Sequence, residues 1–290
     1  MFESFEHLHI ETSGATIHLA KKGDRFPLLL LHGYPQTHLM WHNIAPRLAE
    51  EFTVVAPDLR GYGDSSKPEG GADHATYSKR AMAQDLVEVM DTLGYEAFFV
   101  VGHDRGARVG HRMALGFPLR VKKLAVLDIA PTYTMYLSTD KAFATAYYHW
   151  FFLIQPYDLP ERLIGSEPEY YLRRCLASWS ADPAAFAPEA VADYLRCFSN
   201  PATIHATCED YRAAATIDLE HDEADLDHKV SCPLLALWGA QGVVGRRYDV
   251  LETWRERAID VRGEALPGGH FLPEEAPEET YEALHKFLLS

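Results

Sequence analysis

Val100-Val101-Gly102-His103-Asp104-Arg105-Gly106 is a short apolar run ending in Gly-x-Asp-x-Gly, and its reading decides the fold. A strand that turns sharply into a helix strains the residue at the corner and brings neighbouring backbone very close, so small residues are required on either side. Serine commonly stands at that corner as a nucleophile. Here the residue is Asp104. A carboxylate is already ionised at neutral pH and can displace a leaving group from saturated carbon, leaving an ester on the protein. Such chemistry points away from amide and ester substrates. Taken alone, the pentapeptide also fits an ordinary strand-to-helix turn with Asp104 as a helix N-cap.

Outward from this turn, short apolar runs alternate with helix-patterned segments. Leu28 to Leu31, Thr53 to Ala56, Phe98 to Val101, Leu124 to Leu127, Leu234 to Trp238 and Val261 to Ala265 read as buried parallel strands. The clearest helix runs from Ser78 as N-cap to Gly94 just past its end, with Met82, Leu86, Val89, Met90 and Leu93 on one face. A second helix opens at Asp104 and stops before Pro118, and a third follows Pro277 with Leu284, Phe287 and Leu288 aligned. The fold class expected is α/β, a mostly parallel, doubly wound sheet. From 131 to 227 the pattern becomes helical and rich in tyrosine, tryptophan and proline, which predicts a helical cap inserted into a core built from 1–130 and 228–290.

The chain has 290 residues, 47% hydrophobic and 24% charged, the composition of a globular enzyme. Its N-terminus lacks the basic start and long apolar segment of a secretory signal, and no stretch approaches a membrane span, so the expected location is the cytoplasm. Cys175, Cys197, Cys208 and Cys232 are scattered without a Cys-x-x-Cys pair, as expected for buried thiols rather than disulfides or zinc ligands. A net charge of -15 argues against nucleic acid and anionic membranes as partners. The acidic stretch Glu220 to Asp227, flanked by His221 and His228, reads as a solvated face. No cofactor or metal is implied.

Partners for Asp104 stand at other strand ends. Asp128 follows the strand Leu124 to Leu127, and His270 sits in Leu-Pro-Gly-Gly-His-Phe after the strand Val261 to Ala265, so all three should project from one sheet edge. His270 can activate water while Asp128 fixes its tautomer. In His32-Gly33-Tyr34-Pro35 the backbone N–H of Tyr34 can join that of Arg105 in holding an oxyanion, needed when the Asp104 ester is hydrolysed. Arg105 and Arg108, three residues apart at the start of the same helix, can converge beside Asp104. A guanidinium pair suits a substrate carboxylate, although either arginine alone reads as well as a neutraliser of a nearby acid.

The motifs His32-Gly-Tyr-Pro-Gln-Thr-His, Asp58-Leu-Arg-Gly-Tyr-Gly, Gly102-His-Asp-Arg-Gly-Ala-Arg, Leu127-Asp-Ile-Ala-Pro-Thr, Tyr148-His-Trp, Cys208-Glu-Asp-Tyr-Arg and Gly269-His-Phe-Leu-Pro-Glu-Glu-Ala-Pro span nearly the whole chain. Together they resemble the fluoroacetate (haloacetate) dehalogenases of the α/β-hydrolase superfamily. The resemblance implies attack by Asp104 on the halogen-bearing carbon of a small anionic substrate, ester hydrolysis by His270 with Asp128, and a carboxylate held by Arg105 and Arg108. It implies halide binding by His149, Trp150 and Tyr211, and a homodimer. Imidazole, indole and phenol each offer one donor to a departing fluoride, though without the resemblance these residues read as packed aromatics. One departure is Tyr34 where the family usually has phenylalanine, which places a phenol at the expected site floor. Epoxide hydrolases of the same fold are the nearest alternative. They commonly carry the supporting acid after the strand that here ends Leu237-Trp238-Gly239-Ala240-Gln241-Gly242, a stretch without one.

Overall fold

A computed structural model describes residues 1–290. Eight strands form one sheet in the order β1-β2-β4-β3-β5-β6-β7-β8: β1 (Glu6–Glu11), β2 (Thr16–Lys22), β3 (Pro27–Leu31), β4 (Thr53–Pro57), β5 (Phe98–His103), β6 (Val121–Leu127), β7 (Leu234–Gly239) and β8 (Val261–Leu266). From β4 to β8 every pairing is parallel, whereas β1 pairs antiparallel with β2 and β2 antiparallel with β4. Every residue of β3 and β4 is buried, which is why they read as unbroken apolar runs.

The sequence pattern did not announce the β1–β2 hairpin. β1 reads Glu-His-Leu-His-Ile-Glu, with only Ile10 fully buried, so its apolar content is too low to stand out. The expectation of a buried strand at Val261 to Ala265 also needs correction: β8 closes the sheet on one side, and its residues are mostly exposed until Leu266. An edge strand has no neighbour to shield its outer side.

The helix Lys79–Thr92 starts where its cap chemistry dictates. Ser78 Oγ accepts the Ala81 N–H at 3.2 Å, and beyond the last turn Gly94 takes a left-handed φ of 82°. Met82, Leu86, Val89 and Met90 are buried on its inner face, with Leu93 half-buried.

Register places the strand ends together. Leu31 of β3 aligns with Gly102 of β5, His103 with Leu127 of β6, Leu127 with Leu237 of β7, and Gly239 with Leu266 of β8. The segments that follow these strands therefore emerge at one edge. Between β6 and β7 the chain runs through eight α-helices and a 3-10 turn, from Thr132 to Ala224. All four cysteines are free and buried. No helix is long and apolar enough to cross a membrane.

Candidate active site

Asp104 opens the helix Asp104–Gly116 with φ at 45°, a left-handed conformation that costs a non-glycine residue of order 1–3 kcal/mol. The fold holds it there because the crossing backbone leaves no alternative. A Cβ on Gly106 would sit 2.4 Å from the carbonyl oxygens of Leu31 and His32, and one on Gly33 2.6 Å from Asp104 Cβ. That closeness brings the Tyr34 N–H within 3.1 Å of Asp104 Oδ2. Burial would raise the pKa of Asp104, but the positive charge of His270, Arg108 and Arg105 outweighs it and keeps the carboxyl below its ordinary value.

Asp128 stands one residue past β6 with φ at 50°. Its Oδ1 accepts the Gly239 N–H at 3.0 Å, and its Oδ2 lies 2.7 Å from His270 Nδ1. His270 is fixed from three sides. Besides Asp128, its own N–H donates to Trp179 O at 3.0 Å, and its carbonyl accepts from His103 Nε2 at 2.8 Å. Burial pulls its pKa down, yet the hydrogen bond and charge of Asp128 and the charge of Asp104 carry the net shift upward. Burial pushes the pKa of His103 down to about 3, so that ring stays neutral and acts as a donor.

Asp104, Asp128, Tyr147, His149, Trp179 and His270 face a cavity of about 220 Å³. Arg105, Arg108, Trp150 and Tyr211 are fully buried or nearly so and are not among the residues lining it. The Trp179 ring bridges the two sides, 4.4 Å from His149 and 5.9 Å from His270 between centroids. Tyr211 meets His149 and Tyr34 edge to face, at 5.8 and 5.3 Å between centroids. Burial takes His149 down to a pKa of about 3, so its ring is neutral.

The arginines differ from the expected pair of open forks. Arg105 donates Nε to Asp210 Oδ2 at 2.9 Å and Nη2 to Asp210 Oδ1 at 2.7 Å and to the Asp210 carbonyl at 2.8 Å. Arg108 donates Nη1 to Ala130 O at 3.0 Å and to Thr132 Oγ1 at 2.8 Å. A buried guanidinium must be compensated, and most of each fork serves that need. One nitrogen on each remains without a partner, Nη1 of Arg105 and Nε of Arg108. His149 Nδ1 and Trp150 Nε1 are likewise buried and unpartnered. The guanidiniums also cover aromatic faces, Arg105 over Tyr211 at 4.2 Å and Arg108 over Trp150 at 4.8 Å. Buried polar atoms are rarely left unsatisfied, so these four nitrogens are open to a further partner.

Residues 27–277 match the α/β hydrolase fold family. The chain belongs to that family. A fluoroacetate dehalogenase from Burkholderia sp is 48% identical over 289 residues, covering 99% of this chain and 95% of the relative. A soluble epoxide hydrolase from Corynebacterium sp. (strain C12) is 36% identical over 294 residues, covering 99% and 98%. Among solved structures, a Nostoc sp PCC 7120 protein assigned to the α/β hydrolases superposes with a TM-score of 0.99 at 69% identity, covering 99% of both chains.

Within this α/β hydrolase, sequence reasoning passed over three contributors. Asp210 sits in Cys208-Glu-Asp-Tyr-Arg, one residue from Tyr211, and an acid in a tyrosine-rich helical stretch was the available signal. Trp179 and Tyr147 carry no local signal, because only the packing of the helical insertion turns them to the cavity. The Tyr34 phenol does not line the cavity. Its ring packs edge-on against Tyr211 at 5.3 Å and near Trp179 at 6.2 Å between centroids, and its buried hydroxyl finds no hydrogen-bond partner, while the backbone of Tyr34 lies beside Asp104.

Proposed function

We propose that this α/β hydrolase is a haloacetate dehalogenase. The observation that carries the reading is Asp104 itself, an ionised carboxylate at a strained corner with one oxygen on the Tyr34 N–H and the His270–Asp128 pair beside it. The 48% identity to a fluoroacetate dehalogenase supports the substrate class.

In the first step an Asp104 oxygen attacks the halogen-bearing carbon, the carbon–halogen bond breaks, and the halide leaves with the electron pair. The free nitrogens of Arg105 and Arg108 hold the substrate carboxylate, each contributing a single N–H. His149, Trp150 and Tyr211 donate to the leaving halide, replacing its lost hydration. In the second step His270 takes a proton from water, and the hydroxide adds to the Asp104 carboxyl carbon. The Tyr34 and Arg105 backbone N–H groups hold the resulting oxyanion. Collapse expels the glycolate oxygen, which takes the proton from His270, and the Asp104 carboxyl loses the proton still on the added oxygen to solvent and returns as carboxylate. The helical insertion acts as a cap that keeps bulk water from the first step.

Epoxide hydrolysis is the second reading, favoured by Tyr147 on the cavity wall, a phenolic donor for an opening ring, and by the 36% identity to an epoxide hydrolase. Halide release from fluoroacetate and chloroacetate, measured beside diol formation from styrene oxide, separates the two. Intact-protein mass spectrometry of His270→Asn after haloacetate should show one added carboxymethyl group, and Asp104→Asn should show none and release no halide. An unchanged mass in His270→Asn alongside active wild type rejects the covalent scheme.

A further inference from the structure

Four imidazoles crowd the N-terminal hairpin, away from the cavity and unused by the chemistry above. The β1–β2 register sets His9 opposite His18, so His7, His9 and His18 share one face, and His38 joins them from the 3-10 turn His38–Trp41. Behind them stands Asp58, buried just past β4. Its Oδ2 accepts from His18 Nδ1 at 2.8 Å and from the Asp64 N–H at 3.0 Å. Its Oδ1 accepts from His38 Nδ1 and from the His38 N–H, both at 2.9 Å.

This carboxylate has all of its roughly four acceptor sites filled, and both rings turn Nδ1–H toward it and Nε2 away. His18 Nε2 accepts a hydrogen bond from His7 Nδ1 at 3.2 Å, a bond that an ion between the two nitrogens would replace. His38 Nε2 is buried, in a residue only 5% exposed, and finds no hydrogen-bond partner. Ring centroids are 5.4 Å apart for His7 and His18, 5.0 Å for His18 and His38, and 5.9 Å for His7 and His38. Imidazoles on one tetrahedral ion, with nitrogen–metal bonds of about 2.0–2.1 Å, have nitrogens about 3.3 Å and ring centres about 5 Å apart. A carboxylate that fixes ligand histidines from behind, through Nδ1–H, is the usual outer support of such sites.

We infer that His7, His18 and His38 form a binding site for a first-row transition ion of the zinc class, with Asp58 as the support that orients two of the three rings. Imidazole donors suit Zn²⁺, Cu²⁺ and Ni²⁺ alike. His7 is exposed, which gives the ion its entry path and lets that ring swing to close the longest of the three gaps. The ion would tie β1 to the turn after β3, and so act on the stability of the hairpin rather than on the reaction.

The test is calorimetric titration of tag-free, chelator-treated full chain with zinc sulfate, in parallel with thermal unfolding. One ion per chain is expected, with an unfolding temperature that rises with Zn²⁺. His7→Ala, at an exposed position, should weaken binding at least about tenfold and abolish the thermal shift. His38→Gln should do the same, and His285→Ala on the C-terminal helix should do neither. Cobalt substitution should give the visible absorption of a tetrahedral ion in wild type only. Absence of saturable binding in wild type, or equal binding in wild type and His7→Ala, overturns the inference.

Discussion

Asp210 shows how one buried side chain can set the character of a site it does not line. Its carboxylate meets Arg105, the Lys79 ammonium and the Tyr62 hydroxyl, the last at 2.6 Å, with no exposed surface of its own. Removing the charge leaves two buried cations short of compensation. Asp210→Asn should therefore cost about 3–5 kcal/mol of stability, as read by denaturant unfolding. A loss under about 1 kcal/mol, the ordinary value of an exposed pair, would mean the network is not desolvated as it looks. His270 makes a pH prediction at the same scale. Only the neutral ring can accept a proton from water, and in the adduct Asp128 still holds the pKa of that ring up, so ester hydrolysis should fall as pH drops through it. Single-turnover decay of the covalent adduct across pH measures this, and a flat profile down to pH 6 would remove His270 as the base.

At the scale of elements, Glu274 joins three of them. It lies in the short helix Leu272–Glu275, accepts the Tyr194 hydroxyl of the helix Pro188–Phe198 at 3.0 Å, and meets Gln36 of the loop after β3. Burial raises its pKa to about 8. The buried Gln36 Oε1 lacks a partner, and turning that amide over lets it accept the proton of a neutral Glu274. The sign follows from proton binding. Between the unfolded value of about 4.3 and the folded value of about 8, the folded state binds more protons, so stability falls as pH rises across that window. Glu274→Gln should flatten this part of the curve of unfolding temperature against pH, while an unaltered slope would place the proton elsewhere. The elements themselves were unevenly legible. The turn at Gly102 to Gly106 and the helix from Ser78 declared themselves through glycine, cap and periodicity, which are local. The β1–β2 hairpin did not, because its strands are half polar and are held by pairing with β4.

For the whole molecule, a net charge of -15 repels an anionic substrate at long range. Salt shortens that reach from about 30 Å at 0.01 M to about 8 Å at 0.15 M ionic strength. The kcat/KM for chloroacetate should thus rise modestly as sodium sulfate is added over that range, a halide-free salt avoiding competition at the halide site. A fall instead would mean that local cations such as Arg246 at the cavity rim govern encounter. The sequence by itself determined the corner carboxylate, its acid and histidine partners and the parallel strands that carry them, because each is written in a few adjacent residues whose conformation is set by local sterics and hydrophobic pattern. Tertiary structure alone decided which nitrogen of each arginine stays free, where the Tyr34 phenol points, and that Asp210, Trp179 and four scattered histidines find their neighbours. Those outcomes depend on which buried charges and rings meet across separations as different as 11 residues for His7 and His18 and 105 for Arg105 and Asp210, and no short stretch encodes such a meeting.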